Sequence, residues 1–326
     1  MALNLYISNS DKMINFFKKI MFISLISLTI TLVGLKVFGY INQYLKTSFL
    51  KYPAGGYGHT YTRLSEVENI KNIDILFLGS SHSYRGFDTR IFRKYGYNTF
   101  NLGTSGQTPI QSKFLLKKHI KQLNPKIIIF DLYHKTSSIN GVESAFDIIS
   151  NTKNMSYFDL KMCIEIKDIE VLKTFLYSYI NNTLLKEKIF EETFKKKYND
   201  KYIIGGFVEK STSNLNYKSN FPKISEIGLS KKQLSAIDEI INVSKNNNVK
   251  IILVNTPLNK QYNLSYEHNN YFDSLMNSKA EYINFNKLNL SLNDTIHFYD
   301  KDHLSQKGVE LFNKYFIEKV LDSIKP

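Results

Sequence analysis

This sequence predicts an α/β fold on a parallel sheet, and three observations carry the prediction. Short apolar, β-branched runs recur at Ile73–Leu78, Ile127–Leu132 and Val249–Val254, the composition of strands buried on both faces. Stretches of helical spacing lie between them, one from Pro109 to Gln122 and another through Leu234, Ile237, Ile241 and Ser244. The first and last runs lead directly into polar turns, Gly79-Ser80-Ser81-His82-Ser83 and Asn255-Thr256-Pro257-Leu258-Asn259. The expected architecture is a three-layer α/β/α sandwich of flavodoxin-like type, in which chemistry gathers at the carboxyl edge of the sheet.

The N-terminus reads differently. A short tail, 1–15, precedes an apolar stretch over 16–40 whose core runs from Ile20 to Leu35. That is roughly the 20 residues a membrane-spanning helix needs, and it is apolar on all faces, unlike a core helix with one polar side. Lys36 lies near one end, where its stem can snorkel. No small-x-small cleavage site follows, so the expectation is an uncleaved single-pass anchor in the cell membrane. Lysines flank both ends, and it is the short tail before a single span that favours a cytoplasmic N-terminus and an extracytoplasmic domain. Residues 41–70 read as a stem or linker, with Tyr52-Pro53-Ala54-Gly55-Gly56-Tyr57-Gly58 marking a turn.

Within 71–326 the elements follow in order. Ile73–Leu78 is the first strand, Tyr97–Leu102 a short second one, and Pro109 opens a helix at its first turn. Ile127–Leu132 is a central strand. Residues of about 140–230 break the alternation and read as a mostly helical insertion, with helices near Glu170–Ile180 and Thr183–Tyr198. Tyr202–Phe207 reads as a strand or loop carrying glycines. The rhythm returns with Val249–Val254 and Tyr282–Phe285, and the last helix aligns Val309, Phe312, Phe316 and Val320 on one face behind Ser305 as N-cap.

Two motifs carry chemistry. Ser81 lies just past the first strand, and Asp300-Lys301-Asp302-His303 precedes the last helix. A histidine can take a proton from such a serine while an aspartate orients the ring. Asp300 is favoured over Asp302 as orienter because adjacent residues on a chain generally point apart. Ser80, Ser81 and Ser83 also suit the start of a helix, since serine is a preferred N-cap. Activity is expected to rise with pH through the ordinary histidine value, ~6.5, or higher beside a carboxylate. Arg85, one turn further, is a candidate for holding an anionic acceptor or for pairing with Asp88; His82 and His134 are candidates to line the cleft. The spacing of His82, Asp131, His134 and His297 matches no ligand signature, so neither a metal nor a cofactor is expected.

Gly79-Ser80-Ser81, Asn101-Leu102-Gly103-Thr104-Ser105-Gly106-Gln107-Thr108 and Asp300-x-x-His303 together resemble the SGNH (GDSL-like) hydrolase superfamily. The resemblance spans about 71–135 and 248–322. It implies Ser81 as nucleophile, Asp300 and His303 as its partners, and the backbone N–H groups of Ser81 and Gly106 as an oxyanion hole. Ser80 stands where the superfamily usually has Asp, as in a membrane-anchored branch resembling teichoic-acid D-alanylation and polysaccharide O-acetylation proteins. The superfamily's Gly-x-Asn-Asp block has no counterpart, because Asp131-Leu132-Tyr133-His134 follows the third strand. Loss of one oxyanion donor typically costs ~100–1000-fold in rate.

Composition sets outer bounds. With 326 residues, 43% hydrophobic and 14% aromatic, the chain has enough apolar mass for a sizeable core. A single cysteine, Cys163, precludes an internal disulfide. The net charge of +14 comes without any helix-turn-helix, zinc-finger or RNA-binding signature, so no nucleic-acid partner is expected. An anionic membrane surface or acidic envelope polymer accounts for the charge; lysine enrichment in an A+T-rich genome is the plainer account. The expected function is acyl-ester chemistry through an acyl-serine. The first reading is O-acyl transfer on a cell-surface glycan or polymer, with a multi-span membrane acyltransferase as donor partner. The alternatives are an esterase releasing acyl groups to water and a non-catalytic, membrane-tethered glycan-binding or scaffold protein.

Overall fold

A computed structural model describes residues 2–45, 54–184, 199–210, 221–224, 228–267 and 269–322. Helix α1, Ala2–Leu45, runs through the predicted tail and span without a break. Its segment Lys12–Val37 has mean hydropathy 2.2 with none of it buried against the rest of the protein, which makes α1 long and apolar enough to cross a membrane. Thr29 and Thr31 return their hydroxyls to the carbonyls of Leu25 and Ser27 (2.9 and 2.8 Å), so these polar groups are already satisfied within the helix.

The stem expectation is corrected where the chain is described again. Helix α2, Thr60–Glu66, packs Leu64 and the adjoining Val67 into the core, and Arg63 is fully buried. The Arg63 guanidinium donates to the carbonyls of Gly206 and Gly58, and Gly55 donates to Asn151. A glycine-rich sequence reads as a linker when its tertiary partners lie far along the chain.

The sheet holds β1 (Ile75–Leu78), β2 (Thr99–Asn101) and β3 (Ile127–Asp131), followed later by β6 (Lys250–Asn255) and β7 (Tyr282–Asn284). Their order is β2-β1-β3-β6-β7 and every pairing is parallel. This is the doubly wound order of flavodoxin-like folds, with its switch point between β1 and β3. Alternate strand residues feed two cores. Leu76, Leu78, Ile128, Phe130 and Leu253 face one side, and Ile75, Phe77, Ile129, Ile252 and Val254 the other.

Between β1 and β2 lie α3 (Ser81–Gly86) and α4 (Thr89–Lys94); α5 (Pro109–Leu123) follows β2. The insertion contributes α6 (Val142–Asn151), α7 (Tyr157–Ile166), α8 (Ile169–Ser178) and an antiparallel hairpin of β4 (Asp200–Ile203) and β5 (Phe207–Lys210). The lysine-rich part of the predicted Thr183–Tyr198 helix lies outside the described residues. Helices α9 (Lys231–Asn246), α10 (Lys260–Leu264), α11 (Asn269–Asn277) and α12 (Gln306–Phe316) complete the chain. Helices α5, α6, α7 and α9 bury against the first core, while α3, α4 and α12 close the second. There Phe77, Phe87, Phe92, Phe312 and Phe316 meet ring to ring, with Phe77 and Phe87 stacked at 4.4 Å. A buried Phe→Ala change typically costs 3–5 kcal/mol, so this cluster is a stiff floor beneath the loops at both ends of α3.

Candidate active site

Ser81 is placed by the way β1 ends. Gly79 has φ +138, and a Cβ there would press on the Asp131 backbone oxygen at 2.8 Å, so only glycine lets β1 leave the sheet so close to β3. Ser80 caps α3 by accepting the His82 N–H, which frees Ser81 to head the helix. Asn101 at the end of β2 locks this turn. Its amide donates to the Ser83 carbonyl (2.8 Å), and its oxygen accepts from the Ser83 hydroxyl and the Gly103 N–H.

His303 arrives from a loop pinned to itself. Tyr299 N–H donates to the His303 carbonyl and Ser305 N–H to that of His297, while the Ser305 hydroxyl caps α12. The result brings together residues 222 positions apart: His303 Nε2 is 2.8 Å from Ser81 Oγ. On the other side of the ring, Nδ1 lies 2.9 Å from Asp300 Oδ2. Asp300 also accepts the backbone N–H groups of Asp302 and His303 (3.0 and 2.7 Å), and this curls the loop around its carboxylate. The curl corrects one expectation: Asp302 does not point away, and its Oδ1 lies 3.1 Å from the same Nδ1.

Electrostatics follow from this geometry. Burial pushes the His303 imidazole down, but its hydrogen bonds to Asp300 and Asp302 outweigh burial and lift it to about 9. Asp302 shows the complement: burial raises its carboxyl, and His303 more than compensates, holding it below the ordinary carboxylate range. His82 behaves oppositely. Burial first, then the His303 charge, lower it to about 3, so it stays neutral.

Arg85, His82 and His134, the sequence's candidates for lining the cleft or holding an acceptor, are each engaged with other protein groups. Arg85 forms a buried fork-to-fork pair with Asp200 on β4, and Asp88 pairs with Arg90 instead. The sequence could not show this, since Asp200 lies 115 residues away. His82 is buried, with Nδ1 on the Ser80 hydroxyl (3.2 Å) and its ring flanking those of His303 (4.8 Å) and Tyr133 (4.1 Å). It thus flanks the His303 ring, and both residues line the same small pocket with Arg85 and Asp302. His134 is fully buried, edge-on to Tyr266 at 3.9 Å and near Phe272. Gly106 lies exposed in the loop between β2 and α5, with φ +59.

The residues weighed for a metal are dispersed. Asp131 Oδ1 accepts the Thr256 N–H, and His297 Nδ1 accepts that of Asn293. Among the described residues His82, Asp302 and His303 do converge, but Ser81 and Asp300 already occupy both nitrogens of His303, so an ion would have to displace one of these contacts.

Sequence reasoning missed a cluster of phenols. Tyr133, just past β3, donates to Asp302 Oδ2 (3.3 Å) and meets the hydroxyls of Tyr262 and Tyr266 at 3.0 and 3.2 Å. A cavity of about 360 Å³ borders this cluster, lined by Tyr262, Tyr266, His134, Phe221 and Lys301 among others.

Neither a protein-family model nor a curated protein matches this sequence. Two solved structures are similar in outline. One is a candidate acylhydrolase from Bacteroides fragilis NCTC 9343, with 11% identity, TM-score 0.37, and coverage of 82% of this chain and 99% of that one. The other is a GDSL-like lipase from Bacteroides thetaiotaomicron VPI-5482, with 12% identity, TM-score 0.36 and the same coverage. Likenesses of this size fix neither the activity nor the substrate of this chain.

Proposed function

We propose that this chain is a membrane-anchored serine enzyme of acyl-ester chemistry, and that it moves acyl groups to or from a cell-envelope glycan or polymer. One observation carries the catalytic part: His303 Nε2 at 2.8 Å from Ser81 Oγ, with Nδ1 of the same ring at 2.9 Å from Asp300. A nucleophile, a base in hydrogen-bond reach and an orienter behind the base are what acyl transfer through serine requires.

In this reading neutral His303 accepts the Ser81 proton at Nε2 as Oγ attacks the acyl carbonyl. Ser81 N–H and Gly106 N–H receive the developing oxyanion. His303 then returns the proton to the leaving oxygen, and the ester bond to Ser81 replaces the original one. An acceptor hydroxyl gives its proton to His303 and attacks the acyl-serine, and Ser81 takes that proton back as the new ester departs. With water as acceptor, the same steps make an esterase. The anchor-like helix α1 and the net charge of +14 support an anionic or surface-bound polymer as the acyl partner.

The test uses the detergent-solubilised full chain with an aryl acetate, with and without teichoic acid or an envelope polysaccharide in excess. Transfer predicts acetylated polymer and a matching fall in free acetate. Acetate appearing only in water, at a rate the polymer does not change, would make the protein an esterase. No turnover and no serine labelling would leave only the tethered binding protein.

A further inference from the structure

We infer that Asp302 is a second positioning residue for His303, sharing the Nδ1–H with Asp300 and held in place by the hydroxyl of Tyr133. The inference rests on the triad reading above and deepens it, replacing one orienting carboxylate with two of unequal exposure.

Three observations carry it. First, Asp300 Oδ2 and Asp302 Oδ1 lie 2.9 and 3.1 Å from the same nitrogen, so a small ring rotation passes the single N–H between them. Second, their surroundings differ. The Asp300 side chain is 40% exposed and that of Asp302 only 14%, so Asp300 is the closer and Asp302 the more sheltered of two carboxylates that both raise the ring. Third, Asp302 is the acceptor on which a row of donors ends. Tyr262 and Tyr266 share a contact at 2.8 Å, both meet Tyr133, and Tyr133 donates to Asp302 Oδ2. Burial raises the Tyr133 and Tyr266 phenols above their ordinary range, so they remain donors. These tyrosines come from the segment after β3 and from in and around α10, and they fix Asp302 from outside its own loop.

The groups around His303 are consistent with this division. Tyr299 stacks on it at 5.5 Å with Arg85 beyond, His82 flanks it neutral, and Asp131 at the end of β3 senses its charge. Asp300 and Asp302 are the carboxylates in contact with the ring. When the Ser81 proton arrives at Nε2, the imidazolium faces one screened and one sheltered negative charge.

The test compares Asp300→Asn, Asp302→Asn and the double variant in the full chain. With a lone orienter, loss of the carboxylate drops the rate ~10⁴-fold because the ring takes the wrong tautomer. Shared orientation predicts a loss of about 10- to 100-fold for each single variant and the full ~10⁴-fold only for the pair. It also predicts that Asp302→Asn lowers the titration midpoint of the His303 ring, followed by NMR on histidine-labelled protein, by about one unit or more. A merely structural Asp302 would leave that midpoint in place. The proposal is overturned if Asp300→Asn alone matches the double variant, or if Asp302→Asn leaves both rate and midpoint unchanged. The NMR reading needs no turnover. If the wild type proves inactive on esters, the functional reading fails while the shared N–H is still decided by the midpoint.

Discussion

Arg85 and Asp200 form a buried bidentate pair, Nη1 to Oδ1 at 3.0 Å and Nη2 to Oδ2 at 2.8 Å, with side chains 10% and 3% exposed. The pair joins the helix headed by Ser81 to the β4–β5 hairpin of the insertion, and Lys210 adds a second cation at 3.0 Å from Asp200. Its geometry is that of a fastener rather than a ligand clamp.

Removing one partner of a buried pair typically costs about 3–5 kcal/mol, and Lys210, which stays on Asp200 when Arg85 is lost, makes the cost here smaller. Arg85→Met is therefore expected to lower the thermal midpoint of the full chain in detergent, and Arg85→Met with Asp200→Leu to recover part of the loss. An unchanged midpoint together with a raised KM for an anionic acceptor would instead return Arg85 to the binding role its sequence position suggested.

On the proposed mechanism the His303 ring, lifted to about 9 by its two carboxylates, sets the pH response. The base must be neutral, so kcat/KM should climb about tenfold per pH unit below a limb near 9 and level off above it. This places the limb well above the ordinary ~6.5. Stability should run the other way. A folded value above the unfolded one contributes stability that is full below pH ~6.5 and is lost as pH rises through about 9. A rate profile already flat from pH 6 upward would contradict both statements.

Asp131 gives an independent stability signal. Its side chain is buried, Oδ1 takes the Thr256 N–H, Oδ2 has no partner among the described residues, and burial lifts the carboxyl to about 7. The native state thus holds this proton between pH ~4 and 7, where the unfolded chain has released it, and stability falls as pH rises through that window. Asp131→Asn keeps an acceptor for Thr256 and cannot ionise. It should raise the thermal midpoint at pH 8 and change it less at pH 5. An equal shift at both pH values would show that the charge plays no part.

Much of this is legible in the sequence, for a physical reason. β1, β3 and β6 are buried on both faces and so wrote themselves as continuous apolar runs, and Ser81 and Asp300-x-x-His303 sit immediately beside such runs or before an amphipathic helix. What stayed hidden depended on distant partners. Arg63 is buried because Gly206 and Gly58 receive it, Arg85 because Asp200 does, and Asp302 turns inward because Tyr133 waits 169 residues earlier. Helices α6 and α7 escaped because they lie within the insertion, where no strand follows to mark the α/β rhythm, although their apolar faces join the first core.

The side of the membrane is open to direct chemistry. Asn246, exposed at the end of α9, is a suitable position for a reporter cysteine. Cys163 is silent background, because burial hides its thiol and pushes it up to about 12. Asn246→Cys should react with a membrane-impermeant maleimide in intact cells or spheroplasts. Labelling only after lysis would place the domain in the cytoplasm and remove envelope polymers as its substrates.

The central claim is that Ser81 is an activated nucleophile, and a fluorophosphonate probe tests it with the fewest intervening steps. Full-length protein in detergent at pH 9 is incubated with the probe, digested, and the modified peptide identified by mass spectrometry. The account predicts rapid, stoichiometric modification of Ser81, abolished by Ser81→Ala and strongly slowed by His303→Gln, with the thermal midpoint of Ser81→Ala nearly unchanged because a half-buried hydroxyl contributes little packing. Modification of Ser80, Ser83 or any other serine, or no modification of folded protein at a pH where His303 is neutral, would contradict it.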